Sequence, residues 1–221
     1  SVMKIISEHH GTSLLSCFHH KAISQMEQEH QTNGSGGGKK ALDDIHFRYP
    51  GPRPSSRESA IICLADAVEA VTMPRFRAQD LAVDTKPDLT LVSDADRAAE
   101  ELIRAQLART RPRDAVVGEE FAPTGHGARR WIVDPIDGTH NFVRGVPVWA
   151  TLIALVVDDE AVMGLVAAPA LGRRWWAAEG SGAWAGRSLT SAAAIRVSEV
   201  SRLEDASLSV SSMTSWDALG R

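Results

Sequence analysis

The stretch that decides the fold is Trp131-Ile132-Val133-Asp134-Pro135-Ile136-Asp137-Gly138-Thr139-His140-Asn141-Phe142. It opens as a short apolar run, suited to a buried strand, and passes straight into acidic residues. Asp134 and Asp137 flank Pro135, whose ring fixes the backbone, and Ile136, whose carbonyl can turn toward a cation. Gly138 lets a ligand approach the backbone closely. Thr139 brings a hydroxyl and, if a helix starts there, exposed N–H groups suited to a phosphate. Two earlier segments share the acidic character: Asp94-Ala95-Asp96 at a helix start and Gly118-Glu119-Glu120 after an apolar run. Either alone reads as a cap or a solvated turn, and for Asp94 taken singly the cap is the better reading. Hard oxygen ligands without His or Cys point to magnesium or a similar ion, not zinc. Carboxylates so clustered repel one another and hold protons unless a divalent cation neutralises them.

Working outward, Ile61, Leu64, Val68 and Val71 fall at three- and four-residue steps and predict an amphipathic helix from Ser59 to near Pro74. Ser93-Asp94-Ala95-Asp96 reads as a capping box opening a second helix, with Ala99, Leu102, Ile103 and Leu107 on its apolar face and Pro112 beyond its end. Ala115 to Val117 and Trp131 to Val133 are short strand-like runs. Trp149 to Val157 and Ala161 to Ala167 predict a hairpin turning at Asp158-Asp159-Glu160. Arg174 to Ala178 follows as another strand, Gly180-Ser181-Gly182 as a turn, and Leu208 with Val210 as a half-buried strand among serines. Helices first and antiparallel strands later argue for a layered α+β domain, not a doubly wound one. There is no internal repeat.

Residues 1 to 57 differ in character. They hold six of the eight histidines, the run Asn33-Gly34-Ser35-Gly36-Gly37-Gly38 and the Pro-rich stretch Pro50 to Pro54. Such composition predicts a poorly ordered extension with a short helix around Ala22 to Glu29. The histidine pairs match no closed metal site, so a solvated tail is the reading. The whole chain, 221 residues with net charge -4, is 43% hydrophobic and 24% charged, a globular composition with no basic field for nucleic acid or anionic lipid. Its longest apolar stretch, Val146 to Val157, is too short to span a membrane and is broken by Pro147 and Thr151. The first thirty residues show no secretory signal, and Cys17 and Cys63 form no disulfide framework. A cytoplasmic protein without nucleic-acid or membrane partners is expected.

The three acidic segments, in this order and spacing, resemble the inositol monophosphatase family over about residues 57 to 221. Val143 to Ala150 and Ala168 to Ala177, with its Trp175-Trp176 pair, are similar to the histidinol-phosphatase branch, although tryptophans in strands also serve packing. The resemblance implies a layered α/β sandwich of the sugar-phosphatase type. It divides the chain into a non-family extension, 1–57, and a metal-binding phosphatase domain, 58–221. It also implies two or three magnesium ions. Glu119, Asp134 and the Ile136 carbonyl would hold one, Asp137 a second, and Asp96 would touch the second or a third through water. Glu119 and Thr139 would activate a water, with Asp96 beside them in the catalytic group. Glu119, Asp137, Gly138, Thr139, His140 and Lys86 would meet the phosphorylated metabolite, although Lys86 reads equally as a solvated lysine. The implied reaction is hydrolysis of histidinol phosphate, with inositol monophosphate or another small phosphomonoester as the alternative, in a homodimer. The family has a further C-terminal α/β part with a Trp-Asp ligand segment. Here Trp216-Asp217 follows the serine-rich stretch directly, so that role is not carried to Asp217. Without that part, exposed apolar surface is expected, and an inactive metal-binding or interaction module is a third reading.

Overall fold

The computed structural model describes residues 54–187 and 191–209. The helix expected around Ala22 to Glu29, the residues from Val210 onward and Trp216-Asp217 lie outside them.

Helix α1, Arg57–Arg75, starts behind a reciprocal cap in which Ser59 N–H donates to Ser56 Oγ and Ser56 N–H to Ser59 Oγ. Pro74 sits in its last turn, and the helix ends one residue later. It is less amphipathic than its spacing predicts. Ile61, Ile62, Cys63, Leu64 and Ala65 are all buried, because this half of α1 is packed between the sheet and a second helix. A three-residue hairpin follows, β1 Val83–Thr85 with β2 Leu91–Ser93. Then comes α2, Asp94–Thr110, the expected second helix with Ser93 as its N-cap.

The remaining strands form one sheet in the order β3-β4-β5-β6-β7-β8-β9. They are β3 Ala115–Gly118, β4 Arg129–Asp137, β5 Ala150–Val157, β6 Glu160–Ala168, β7 Arg173–Ala178, β8 Gly182–Gly186 and β9 Ala193–Ile195. Only β3 and β4 pair in parallel; every other neighbour is antiparallel. A five-residue helix, α3 Thr139–Val143, joins β4 to β5. Helices layered on a mostly antiparallel sheet make this the expected α+β architecture.

Both long helices lie on one sheet face. There Val68 and Ile103 meet Trp131, Val133, Ile153, Leu155, Leu165 and Trp176 in the main core. A second, smaller core gathers Ala95, Ile136, Phe142 and Trp149 against Phe76 and Leu81. The opposite sheet face leaves Ile132 43% and Trp175 37% exposed among the described residues. No helix of the described residues is long and apolar enough to cross a membrane.

Two expectations change. Strand β4 does not stop at Val133 but runs through Pro135 to Asp137, so the acidic residues belong to the strand itself. Leu208 is 77% exposed, and no strand forms over the residues described up to Ser209, because no neighbouring strand covers them. The rest of that expected strand lies outside the described residues.

Candidate active site

The site grows from a defect in the sheet. Asp134 pairs with Leu152 and Asp137 with Ala150, so three steps along β4 face two along β5. This bulge breaks the alternation and re-aims the end of β4. It is pinned from inside: the buried Thr151 hydroxyl donates to the Pro135 carbonyl at 2.8 Å. Ile136 points down into the small core, where Phe142 and Trp149 stack edge-to-face with centroids 4.9 Å apart. Gly138 then takes φ +90°, a left-handed conformation. A Cβ there would stand 3.1 Å from the Val148 carbonyl oxygen, so space and backbone both demand glycine. From Gly138 the chain turns into α3, and Asn141 closes the turn by donating its amide to the Val148 carbonyl at 2.7 Å.

Three of the expected residues meet on one side. The Thr139 hydroxyl lies 3.1 Å from the Ile136 carbonyl oxygen and 3.3 Å from Asp96 Oδ1, and its single proton serves one of them at a time. Asp96 is buried, and its Oδ2 accepts from the Ser93 N–H at 2.8 Å and the Ser93 hydroxyl at 2.5 Å. Its carboxylate therefore caps α2 and reaches the site with its other oxygen. Burial pushes the Asp96 carboxyl up, against the pull of the Ser93 and Thr139 hydrogen bonds. Asp94 is held elsewhere: Arg75 grips it through Nη2 at 2.6 Å, tying the end of α1 to the start of α2. That agrees with its reading as a helix-end residue.

A second group meets across the cleft. Lys86 Nζ stands 2.8 Å from Glu119 Oε1 and 2.7 Å from Glu120 Oε1, so this lysine is no solvated bystander. Burial pulls the ammonium down, but its two carboxylate partners outweigh that and hold its pKa above the usual value. The Glu119 side chain is 42% exposed and that of Glu120 only 4%. Burial pushes Glu120 up, with Lys86 opposing.

Asp134, on β4, interacts with members of both groups, Glu119 and Asp96. Its Oδ1 is buried without a hydrogen-bond partner. Burial first, then the Glu119 charge and hydrogen bond, then Asp137 and Asp96, push its pKa up to about 8. Asp137, at the end of β4, is exposed, as is His140 on α3. Among the described residues no three or more histidine, cysteine, aspartate or glutamate side chains are gathered closely enough to hold a metal ion as they stand. The chemistry of the donor set nevertheless suits a hard cation: it is all oxygen, burial and neighbouring carboxylates raise the Asp134 pKa, and one buried oxygen is orphaned.

Sequence reasoning missed two residues here, Glu100 and Arg104. Glu100 follows Asp96 by one helical turn on the same face of α2, and Arg104 follows Glu100 by another. That spacing was the available signal.

The family model described as the inositol monophosphatase family matches residues 55–218. A histidinol-phosphatase of Streptomyces coelicolor is 64% identical over 162 residues, covering 72% of this chain and 61% of the relative. One of Mycobacterium tuberculosis is 56% identical over 156 residues, covering 70% of this chain and 60% of the relative. The chain thus spans about three fifths of the length of these two curated relatives. Among solved structures, a Thermotoga maritima IMPase superposes with a TM-score of 0.58 at 35% identity, covering 65% of this chain and 54% of that one. On this match across its described core, the chain belongs to the inositol monophosphatase family.

Proposed function

We propose that the protein is a magnesium-dependent phosphomonoesterase that hydrolyses histidinol phosphate to histidinol and phosphate. The observation that carries the chemistry is Asp134, a carboxylate whose crowding by Glu119, Asp137 and Asp96 a divalent cation would relieve. Glu119, Asp134 and the Ile136 carbonyl would hold one ion and Asp137 a second, with Asp96 reaching the second or a third through water. When bound, the ions supply an activated water and charge for the phosphate and the departing alkoxide.

The chain's own residues have separate tasks. Glu119 orients the attacking water, and the Thr139 hydroxyl passes its proton toward Asp96 Oδ1, 3.3 Å away. A carboxyl whose affinity for protons is raised by burial is suited to receive it. The Gly138 and Thr139 N–H groups, at the start of α3, cradle the phosphate. Lys86 and His140 would meet its remaining charge or the alcohol. A bond forms from water oxygen to phosphorus as that water gives a proton to Thr139, which passes its own to Asp96; the ester P–O bond breaks, and the leaving alkoxide takes a proton from solvent.

The substrate rests on the likeness to the two histidinol-phosphatases at 64% and 56% identity. The likeness to the Thermotoga maritima IMPase keeps inositol monophosphate as the second reading. Residues 58–221 would form the phosphatase part, working in the cytoplasm as a homodimer in histidine synthesis. The test is phosphate release from histidinol phosphate and from inositol monophosphate, with magnesium and with excess chelator. Magnesium-dependent release from histidinol phosphate, lost in Asp137→Asn with an unchanged melting temperature, supports the reading. Full activity in that variant sinks the proposed site.

A further inference from the structure

We propose that Glu100 and Arg104, one turn apart on α2, are positioning residues that hold the Glu119-Glu120 turn in place against the acidic cleft. Glu100 is 0% exposed, although its neighbours Ala99 and Ile103 face the apolar core. A carboxylate buried so deeply is costly unless it is paired and fully hydrogen-bonded. Its two oxygens are divided between two partners. Oε1 accepts from Arg104 Nε at 2.7 Å, and Oε2 accepts from the backbone N–H of Glu120 at 2.7 Å.

Arg104 then directs its other donors off the helix and into the same loop. Nη2 donates to the Phe121 carbonyl at 3.1 Å and Nη1 to the Thr124 hydroxyl at 3.0 Å. The guanidinium also lies 5.9 Å from the Phe121 ring centroid. One carboxylate and one guanidinium thus anchor an amide, a carbonyl and a hydroxyl between residues 120 and 124. The far end of the loop is closed by a two-way backbone bridge between Thr124 and Val116 of β3.

Gly118 completes the device. Its backbone is not in the left-handed region, so conformation does not require glycine. Space does: a Cβ would fall 1.9 Å from Glu100 Oε1. The Glu100 carboxylate occupies the room that a side chain at 118 would take. An (i, i+4) ion pair serving only its own helix would keep its hydrogen bonds within that helix. This one spends them on the loop that bears Glu119 and Glu120.

The link to cation binding rests on the reading of Glu119 as a ligand, so the experiment separates the two claims. It uses the full chain, with Glu100→Ala, Glu100→Gln, Gly118→Ala and the Glu100→Ala/Gly118→Ala pair. Amide hydrogen exchange at Glu120 reads the positioning directly, calorimetric titration with Mn2+ reads its consequence, and melting in chelator reads the fold. Glu100→Ala and Gly118→Ala are each expected to speed Glu120 exchange and to weaken Mn2+ binding about tenfold, the usual size of a supporting-residue effect. Glu100→Gln keeps an oxygen for the Glu120 N–H and restores its protection. In the Glu100→Ala background the added methyl meets no carboxylate, so the pair behaves like Glu100→Ala alone. Wild-type Glu120 exchange in a variant that melts cooperatively overturns the proposal. If Glu100→Ala does not fold, Gly118→Ala decides by the same criterion. A wild-type chain that binds no Mn2+ refutes the cation reading, and Glu120 exchange still decides the positioning.

Discussion

At the scale of single residues, the site depends on a few positions that tolerate no ordinary side chain. Gly138 is the sharpest case, with φ +90° and the Val148 carbonyl oxygen 3.1 Å from where a Cβ would stand. Gly138→Ala is expected to cost about 1–3 kcal/mol, the usual range for a strained non-glycine residue, and to lower the melting temperature. A second measurement distinguishes strain from loss of site geometry: the variant's KM for phosphomonoester should rise, since its first α3 N–H groups are displaced. An alanine variant with wild-type melting and KM would show that the turn relaxes freely. Gly138 was legible in the sequence because its chemistry is local, set by Asp134, Pro135 and Asp137 just before it. Ser93 with Asp96 was legible for the same reason, as a cap three residues long. Glu100 and Arg104 were not, because Glu120, the partner of Glu100, and Phe121 and Thr124, the partners of Arg104, stand about twenty residues away in the chain. The place of Lys86 between Glu119 and Glu120 depends likewise on how the β1–β2 hairpin docks.

At the scale of elements, legibility followed how strongly each segment contrasts its two faces. β5 and β6 are long, mostly apolar runs separated by an acidic turn, and they were readable as a hairpin. β8 is Gly-Ala-Trp-Ala-Gly and β9 is Ala-Ala-Ile, compositions with little intrinsic strand preference, so pairing makes them strands, β8 along β7 and β9 along β8. β1 is exposed at all three residues and carries no pattern at all. The extension of β4 to Asp137 was hidden by Pro135, which lacks the N–H a regular ladder uses. The bulge accommodates it, and Thr151 on β5 holds the bulge through the Pro135 carbonyl. Thr151→Val keeps the side-chain shape and removes that donor, leaving a buried acceptor unsatisfied at a cost of about 1–3 kcal/mol. Beyond the lower melting point, the loosened bulge should weaken Mn2+ binding, because Asp134 and Ile136 lie on either side of Pro135. Equal Mn2+ affinity in the two proteins would mean that β4 keeps its bend without β5.

At the scale of the whole molecule, charge crowding couples the site to global stability. Ile132 and Trp175, exposed on the open sheet face, bear on association instead. Replacing both with lysine is expected to raise solubility with little change in melting, and sedimentation would reveal reduced self-association. The crowding effect has a definite sign. The Asp134 carboxyl is raised from 3.8 to about 8, so between those values the folded chain keeps a proton that the unfolded chain has released. The stability this group contributes is whole below its unfolded pKa and is lost as pH rises through the folded one. Asp96 and Glu120 are raised as well and act in the same direction. In chelator, melting temperature should therefore fall as pH climbs from about 5 to 8. Asp134 is only partly buried, so solvent screening keeps its share to about 1–2 kcal/mol, well below a full conversion of the shift. Asp134→Asn removes that share and flattens the chelated profile. On the proposed function magnesium would bind the deprotonated carboxylates, so saturating magnesium should reverse the wild-type slope and release protons on binding below about pH 8. Calorimetry in two buffers of different ionisation enthalpy counts those protons. A chelated profile equally steep in Asp134→Asn and wild type would place the pH sensitivity in other groups.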